Sequence, residues 1–422
     1  MSELVLITIS GFDRPGLSAK LIASIEEFSV SILDIGQSVI HDHVNMGMLL
    51  EIHSASGETD SASGEANILG NNASAEVVKR LLYKVHELGL QAVFRPIEHS
   101  EYEGWVEQQY RAKYIVSLIS RRISSQHIAS LTSILYQHEL NISSITRLSP
   151  RMSLTQDPSQ HLACVEFTVS GIVKSLDKLK QQLTELSDAL QIDVAFQRES
   201  MYRKNRRLVC FDMDSTLIEA EVIDELAKRA GVGDRVAAIT ERAMRGELNF
   251  NDSFKERVAL LKGLDEQVLA DVARTLPITE GAETLITALR HLGYKTAILS
   301  GGFTYFGKYL QERLGIDYVY ANELDIENGQ VTGNVVGTIV DGNEKARLLA
   351  MLAQQQNISL EQVVAVGDGA NDLPMLSRAG LGVAFKAKPL VKAEAEQAIS
   401  NVGLDSLLYL IGLPSRKDEG SE

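Results

Sequence analysis

Leu208-Val209-Cys210-Phe211-Asp212-Met213-Asp214-Ser215-Thr216-Leu217 is the most telling stretch of this 422-residue chain. An apolar run of strand character stops on two aspartates one residue apart, followed by small hydroxyl side chains. A buried strand that ends this way sets two carboxylates at its C-terminal edge, where open α/β sheets bind ligands. Two carboxylates so close repel each other unless a cation or a shared proton offsets the charge. Mg2+ suits such a pair, since it takes one or two carboxylates together with waters and phosphate oxygens. A carboxylate can also attack phosphorus and become an aspartyl-phosphate. Taken alone, the same residues also describe a strand followed by an acidic turn, so the partners downstream matter.

Three such partners follow in order. Thr296-Ala297-Ile298-Leu299-Ser300-Gly301-Gly302 reads as a strand ending in a hydroxyl and two glycines, with a helix starting near Phe303. Glycine lets a backbone approach a phosphate, and a helix N-terminus offers free N–H groups. Lys345 opens an amphipathic helix over 344–355, where an ammonium could neutralise phosphoryl charge. Val363-Val364-Ala365-Val366-Gly367-Asp368-Gly369-Ala370-Asn371-Asp372 is a second buried strand ending on an acid. There Asp368 could bind the cation and Asp372 could orient the ligands or Lys345.

Together these motifs resemble the haloacid dehalogenase superfamily, and the resemblance covers the chain from about 207 to 412. It implies an α/β fold: a doubly wound parallel sheet (206–415) with a helical cap at about 219–276. It makes Asp212 the nucleophile and Asp214 the general acid/base. It gives Ser300, Gly301 and Lys345 to the phosphoryl group. It gives the Mg2+ to Asp212, the Asp214 backbone carbonyl and Asp368. The stretch between the first two motifs narrows this. Glu221-Val222-Ile223-Asp224-Glu225-Leu226-Ala227, Met244-Arg245-Gly246-Glu247-Leu248-Asn249-Phe250 and Ser253-Phe254-Lys255-Glu256-Arg257-Val258-Ala259-Leu260-Leu261 are similar to the phosphoserine phosphatase family. That resemblance implies that Glu221 meets a substrate ammonium, that Arg257 pairs with its carboxylate, and that Met244 and Phe250 cover the pocket. Asn371 joins the substrate-binding set. The expected reaction is hydrolysis of O-phospho-L-serine to serine and phosphate. Two other readings stay open: action on another small phosphomonoester, with or without transfer to an alcohol, and an amino-acid sensor with a vestigial hydrolase half.

The front half reads twice as βαββαβ, a ferredoxin-like order. Strands are expected over 4–10, 30–40, 46–52 and 91–95, with helices over 17–28 and 75–88, in a first domain of about 1–100. The same order recurs over 112–198. Asp13-Arg14-Pro15-Gly16-Leu17, between strand and helix, resembles the ACT domain, a module that binds amino acids and often dimerises. The resemblance makes Asp13 and Gly16 regulatory candidates, serine an effector and the protein a homodimer. The second copy has Ser120-Arg121-Arg122-Ile123-Ser124-Ser125 at that loop, which departs from the pattern. The Ser/Gly/Asn-rich stretch 57–70 and the acidic tail 418–422 are expected to be mobile or frayed. A net charge of −15 argues against nucleic-acid binding. Two cysteines in apolar runs suit a reducing compartment, and the short apolar run at 4–9 is neither a signal core nor a span. A cytoplasmic protein is expected.

Overall fold

The computed structural model describes residues 2–53, 73–155, 157 and 161–414. The stretch 57–70 and the tail 418–422 lie outside the described residues. The chain forms two compact units, Met1–Arg111 and Ala112–Glu422.

In the first unit, β1 (Ser2–Phe12), β2 (Val30–Ile40), β3 (His43–His53) and β4 (Gln91–Ile97) form an antiparallel sheet in the order β2-β3-β1-β4. Alternation along β1 turns Val5, Ile7 and Ile9 to one face, where they pack with Met46, Met48 and Leu50 of β3. Helix α1 (Leu17–Ala23) covers that face with Leu17 and Leu21, and α2 (Ala73–Glu87) with Val77, Leu81 and Val85. Helix α1 is shorter than the expected 17–28. The Ser24 hydroxyl donates to the Leu21 carbonyl at 2.6 Å, and three-residue turns then carry the chain to β2. β3 starts at His43 rather than 46, because a two-residue turn with His41 at φ 59° closes the hairpin. Helix α3 (His99–Gln109) was not expected; it buries no side chain.

The second unit starts with the same topology. β5 (Lys113–Ser120), α4 (Ser125–Gln137), β6 (Asn141–Arg147), β7 (Ala163–Ser170), α5 (Leu176–Leu190) and β8 (Asp193–Arg198) give a sheet ordered β6-β7-β5-β8. Its edge strand β8 is fastened to the sheet that follows. Phe196 donates its N–H to Gln397 Oε1 at 2.9 Å and accepts from Gln397 Nε2 at 2.8 Å. Asp193 accepts from the backbone N–H groups of Ser400 and Asn401 at 2.7 and 2.9 Å. Arg203, buried in the connector, pairs with Glu166 and donates to the carbonyls of Tyr409 and Leu410.

The large sheet has the order β12-β11-β10-β9-β13-β14-β15. Its strands are β9 (Leu208–Phe211), β10 (Lys295–Phe303), β11 (Tyr318–Glu327), β12 (Gln330–Val336), β13 (Val363–Gly367), β14 (Leu381–Phe385) and β15 (Gln397–Ile399). All pair in parallel except β11 with β12, an antiparallel hairpin turning at Asn328-Gly329, both with positive φ. The parallel sheet expected from the sequence therefore carries one antiparallel edge. β9 is buried on both faces: Leu208 and Cys210 join one core, Val209 and Phe211 the other. That is why it reads as a continuous apolar run rather than an alternating one. Helices α6 (Val222–Arg229), α7 (Gly233–Met244), α8 (Phe250–Ala259) and α9 (Gln267–Thr275) form a cap after β9, followed by α10 (Ala282–His291). Helix α11 (Thr304–Leu314) follows β10, α12 (Gly342–Gln355) precedes β13, and α13 (Leu373–Arg378) follows it. Strand order reverses at β9, flanked by β10 and β13, which makes its C-terminal end the switch point where ligands bind. No helix among the described residues is long and apolar enough to cross a membrane.

Candidate active site

Asp212 follows β9 directly and extends its ladder, donating its N–H to the Val366 carbonyl of β13 at 2.9 Å. Its Oδ1 accepts from the Met213 N–H at 2.8 Å and lies 2.9 Å from Lys345 Nζ. Among the described residues no hydrogen bond is made to Oδ2, which leaves that oxygen available to a phosphorus or a cation. Lys345 is fully buried on the first turn of α12. Asp341 starts that helix, its side chain accepting from the Glu344 N–H. The ammonium also donates to Asp372 Oδ1 at 2.7 Å. Asp372 Oδ2 accepts from the N–H groups of Asp368 and Gly369 at 3.1 and 2.9 Å. A Cβ on Gly367 would sit 2.5 Å from this carboxylate, so only glycine fits the turn.

Burial works against the Lys345 charge, but the Asp212 and Asp372 carboxylates outweigh it and hold the ammonium above its ordinary value. Burial, and then the Asp372 charge, push Asp212 up, with Lys345 opposing. Asp368 is pushed up to about 8 by burial and then by the charges of Asp212 and Asp372. Asp212, Asp368 and Asp372 each offer an oxygen, all within 4.8 Å of one another. Asp372 is already committed to Lys345 and two amides, which leaves Asp212 and Asp368 for a cation. The donors are hard oxygens, and a divalent ion beside them would offset the burial and the neighbouring negative charge that raise both. The residues present therefore fit such a metal.

Asp214 stands two residues on, its Oδ1 accepting from the Val222 N–H at 3.0 Å. Burial, then Glu221 and Asp212, hold it well above the ordinary carboxylate range, a direction that suits a proton donor. Gly302 lies against it: a Cβ there would be 2.5 Å from Asp214 Oδ2. Ser300 is buried within β10, with its Oγ accepting from the Gly302 N–H at 2.9 Å, so the hydroxyl proton remains to be donated.

The cap brings further expected residues to this edge. Phe250, at the start of α8, reaches over Gly301, where a Cβ would sit 2.9 Å from its ring. It stacks on Phe254 at 5.9 Å. Arg257 lies one helical stretch on, half-buried, with Nε donating to the Ser253 carbonyl at 3.4 Å. Burial lowers it from its ordinary value while the charges of Asp224, Glu221 and Asp214 hold it up, which puts the guanidinium in the field of those acids. Glu221 accepts from Ser215 Oγ at 2.8 Å. Asn371 lies beside Gly369, where a Cβ would meet its Oδ1. The Met244 side chain lies outside the described residues. Asp13 and Gly16 belong to the first unit; Gly16 caps α1 at φ 85°.

Three polar residues without an assigned role in the sequence reading join the site. Thr216 donates to Asp368 Oδ1 at 3.1 Å. Ser215, at φ 57°, bridges the nucleophile turn to Glu221. Both follow Asp-x-Asp, where small hydroxyls were visible but their partners were not. Asn322 of β11 is almost wholly buried. It donates to the Gly301 carbonyl and accepts from the Val340 N–H, each at 2.8 Å. Its signal in sequence was a lone amide inside a strand.

A doubly wound sheet with a helical cap and this acid–lysine–acid array at the switch point defines a phosphoryl-handling hydrolase. The haloacid dehalogenase-like hydrolase family matches residues 209–377, and the ACT domain family matches residues 3–95. The chain is 37% identical to the phosphoserine phosphatase of Streptomyces coelicolor, over 99% of this chain and 94% of that protein. It is 36% identical to that of Mycobacterium tuberculosis, over 99% of this chain and 95% of that one. A solved structure of a HAD family hydrolase from Salmonella enterica serovar Typhi superposes with a TM-score of 0.62 at 32% identity, over 71% of this chain and 99% of that one. The chain belongs to the phosphoserine phosphatase family.

Proposed function

We propose that this enzyme is a Mg2+-dependent phosphatase that hydrolyses O-phospho-L-serine in two steps through Asp212. The observation that carries this reading is Asp212 itself: a buried carboxylate with one oxygen fixed by an amide and Lys345, and the other without a hydrogen-bond partner among the described residues. Asp212 attacks phosphorus in line, forming an aspartyl-phosphate as the P–O bond to serine breaks. Asp214 gives its proton to the leaving seryl oxygen, then takes one from the water that hydrolyses the acyl phosphate. Ser300, the Gly301 N–H and Lys345 hold the phosphoryl oxygens. Asp212, Asp368 and the Asp214 carbonyl would hold the Mg2+, which would neutralise phosphoryl charge. In a loose phosphoryl transition state, placement and charge neutralisation supply most of the catalysis. A zwitterionic head group needs one acid and one guanidinium, and Glu221 and Arg257 supply them under the cover of Phe250 and Met244. Asn371 completes the substrate set.

The first unit serves as an amino-acid-sensing and dimerising module, with serine bound near Asp13 and Gly16; the exposed Ile32, Ile35 and Ile40 of β2 offer an apolar edge for a second copy. The enzyme works in the cytoplasm, where the buried thiols of Cys164 and Cys210 stay reduced. Sedimentation with and without serine tests the module. The catalytic reading is tested by phosphate release from phosphoserine with Mg2+ and with EDTA, and by mapping the labelled adduct. Asp212→Asn should leave less than about 1% of turnover in a folded protein. Label on any other residue overturns covalent catalysis by Asp212.

A further inference from the structure

β10 and β11 run in parallel register through Leu299 and Tyr320, then slip, and register returns at Phe303 and Asn322. The residues that bulge out are Ser300, Gly301 and Gly302, the turn that the proposed reaction assigns to the phosphoryl group. A bulge leaves backbone groups without ladder partners. Here the gap is closed by one side chain. Asn322 Nδ2 donates to the Gly301 carbonyl at 2.8 Å. The other end of the same amide, Oδ1, accepts from the Val340 N–H at 2.8 Å. Val340 belongs to no helix or strand; it immediately precedes Asp341, the residue that starts α12 and so sets the height of Lys345. Asn322 is buried, and both ends of its amide are used.

We infer that Asn322 is a positioning residue that sets the spacing between the two phosphate-handling elements, the Ser300–Gly302 turn and the N-terminus of the Lys345 helix. It touches no reacting atom. Its planar amide is a rigid spacer: it fixes the Gly301–Gly302 peptide, whose Gly302 N–H donates to Ser300 Oγ at 2.9 Å, and it holds the α12 approach against that turn. The inference rests on the phosphatase reading. Transition-state oxyanions demand tighter placement than substrate does, and a displacement of about 1 Å can cost about 10²-fold in rate. Loss of Asn322 should therefore fall on kcat rather than KM.

The test compares Asn322→Asp, which keeps the acceptor for Val340 but not the donor for Gly301, with Asn322→Ala, which loses both. Turnover is counted per folded molecule, with orthovanadate as the transition-state probe. The expected result is a fall in kcat of about 10- to 10²-fold. KM for phosphoserine should shift less than about threefold, and orthovanadate inhibition should weaken in proportion to kcat. A residue that only supports the fold would lower the melting temperature and leave these constants unchanged per folded molecule; that result overturns the inference, as does a loss carried by KM. A measurement on the unaltered enzyme stands apart from variant folding: the Val340 amide should be protected in native-state hydrogen exchange, and rapid exchange there also refutes the clamp. Inactivity of the unaltered enzyme towards phosphoserine would instead refute the functional reading.

Discussion

Replacing Lys345 by methionine keeps the shape of the side chain and removes its charge from between two acids. Its ammonium lies 2.9 Å from Asp212 and 2.7 Å from Asp372. With an effective dielectric of about 20, each contact is worth about 6 kcal/mol of gross attraction. The cost of burying the ammonium cancels much of this. What remains after the deletion is a pair of buried carboxylates without a counter-charge, and breaking a buried pair this way costs about 3–5 kcal/mol. At about 2–4 °C per kcal/mol, melting of the second unit should fall by roughly 6–20 °C. Loss of a preorganised cation at the phosphoryl group should also lower kcat by about 10²–10³-fold. Calorimetry and phosphate release read the two effects. Combining Lys345→Met with Asp372→Asn removes one stranded acid, so the double variant should be more stable than the sum of the single changes. Strict additivity, or a Lys345→Met enzyme melting within about 2 °C of the original, would refute the account of the triad.

Asp368 gives a pH signature. Its folded value of about 8 lies above the ordinary 3.8, so the cation-free protein holds a proton that the unfolded chain has already released. That contribution is fully present below about pH 4 and is lost as pH rises towards 8. Mg2+ between Asp212 and Asp368 should remove the slope, and parallel melting curves in EDTA and Mg2+ would count against a cation there. Arg257→Ala should raise KM for phosphoserine about tenfold or more, in line with about 1.5–3 kcal/mol for a charged hydrogen bond. It should leave p-nitrophenyl phosphate little changed, and equal effects on the two substrates would remove Arg257 from carboxylate recognition. Gly302→Ala places a methyl group 2.5 Å from Asp214 Oδ2. It should cut kcat by about 10–10²-fold with melting nearly unchanged, and steady-state kinetics at the original level would show that Asp214 tolerates displacement.

Asp212 and Asp368 were legible in the sequence because each ends an apolar run, whereas Lys345 stands among polar residues and was singled out by the resemblance to the haloacid dehalogenase superfamily. Asp212 and Asp368 follow unbroken apolar strands, where a buried charge needs a reason. The two-face burial of β9 was legible for the same reason. Helix α3 was not, because with no buried side chain it lacks the apolar stripe that betrays a helix. The antiparallel β12 edge was missed although Asn328-Gly329 is a hairpin signal, since the surrounding alternation of strand and helix favoured a parallel reading. Asn322 and Thr216 find their partners 18–21 and 152 residues away in sequence, so their roles depend on tertiary register rather than local pattern.

The fastening of β8 by Gln397 bears on where this polypeptide can be cut. An open sheet margin is an invitation to pair with a neighbouring chain. Here the carboxamide of Gln397 occupies both backbone groups of Phe196, while Asp193 ties down the residues after β15. Severing the polypeptide near residue 200 would strip both sides of that joint and leave two sticky borders. A cut near residue 111 spares it, and the smallest soluble piece that keeps the catalytic apparatus whole should begin there.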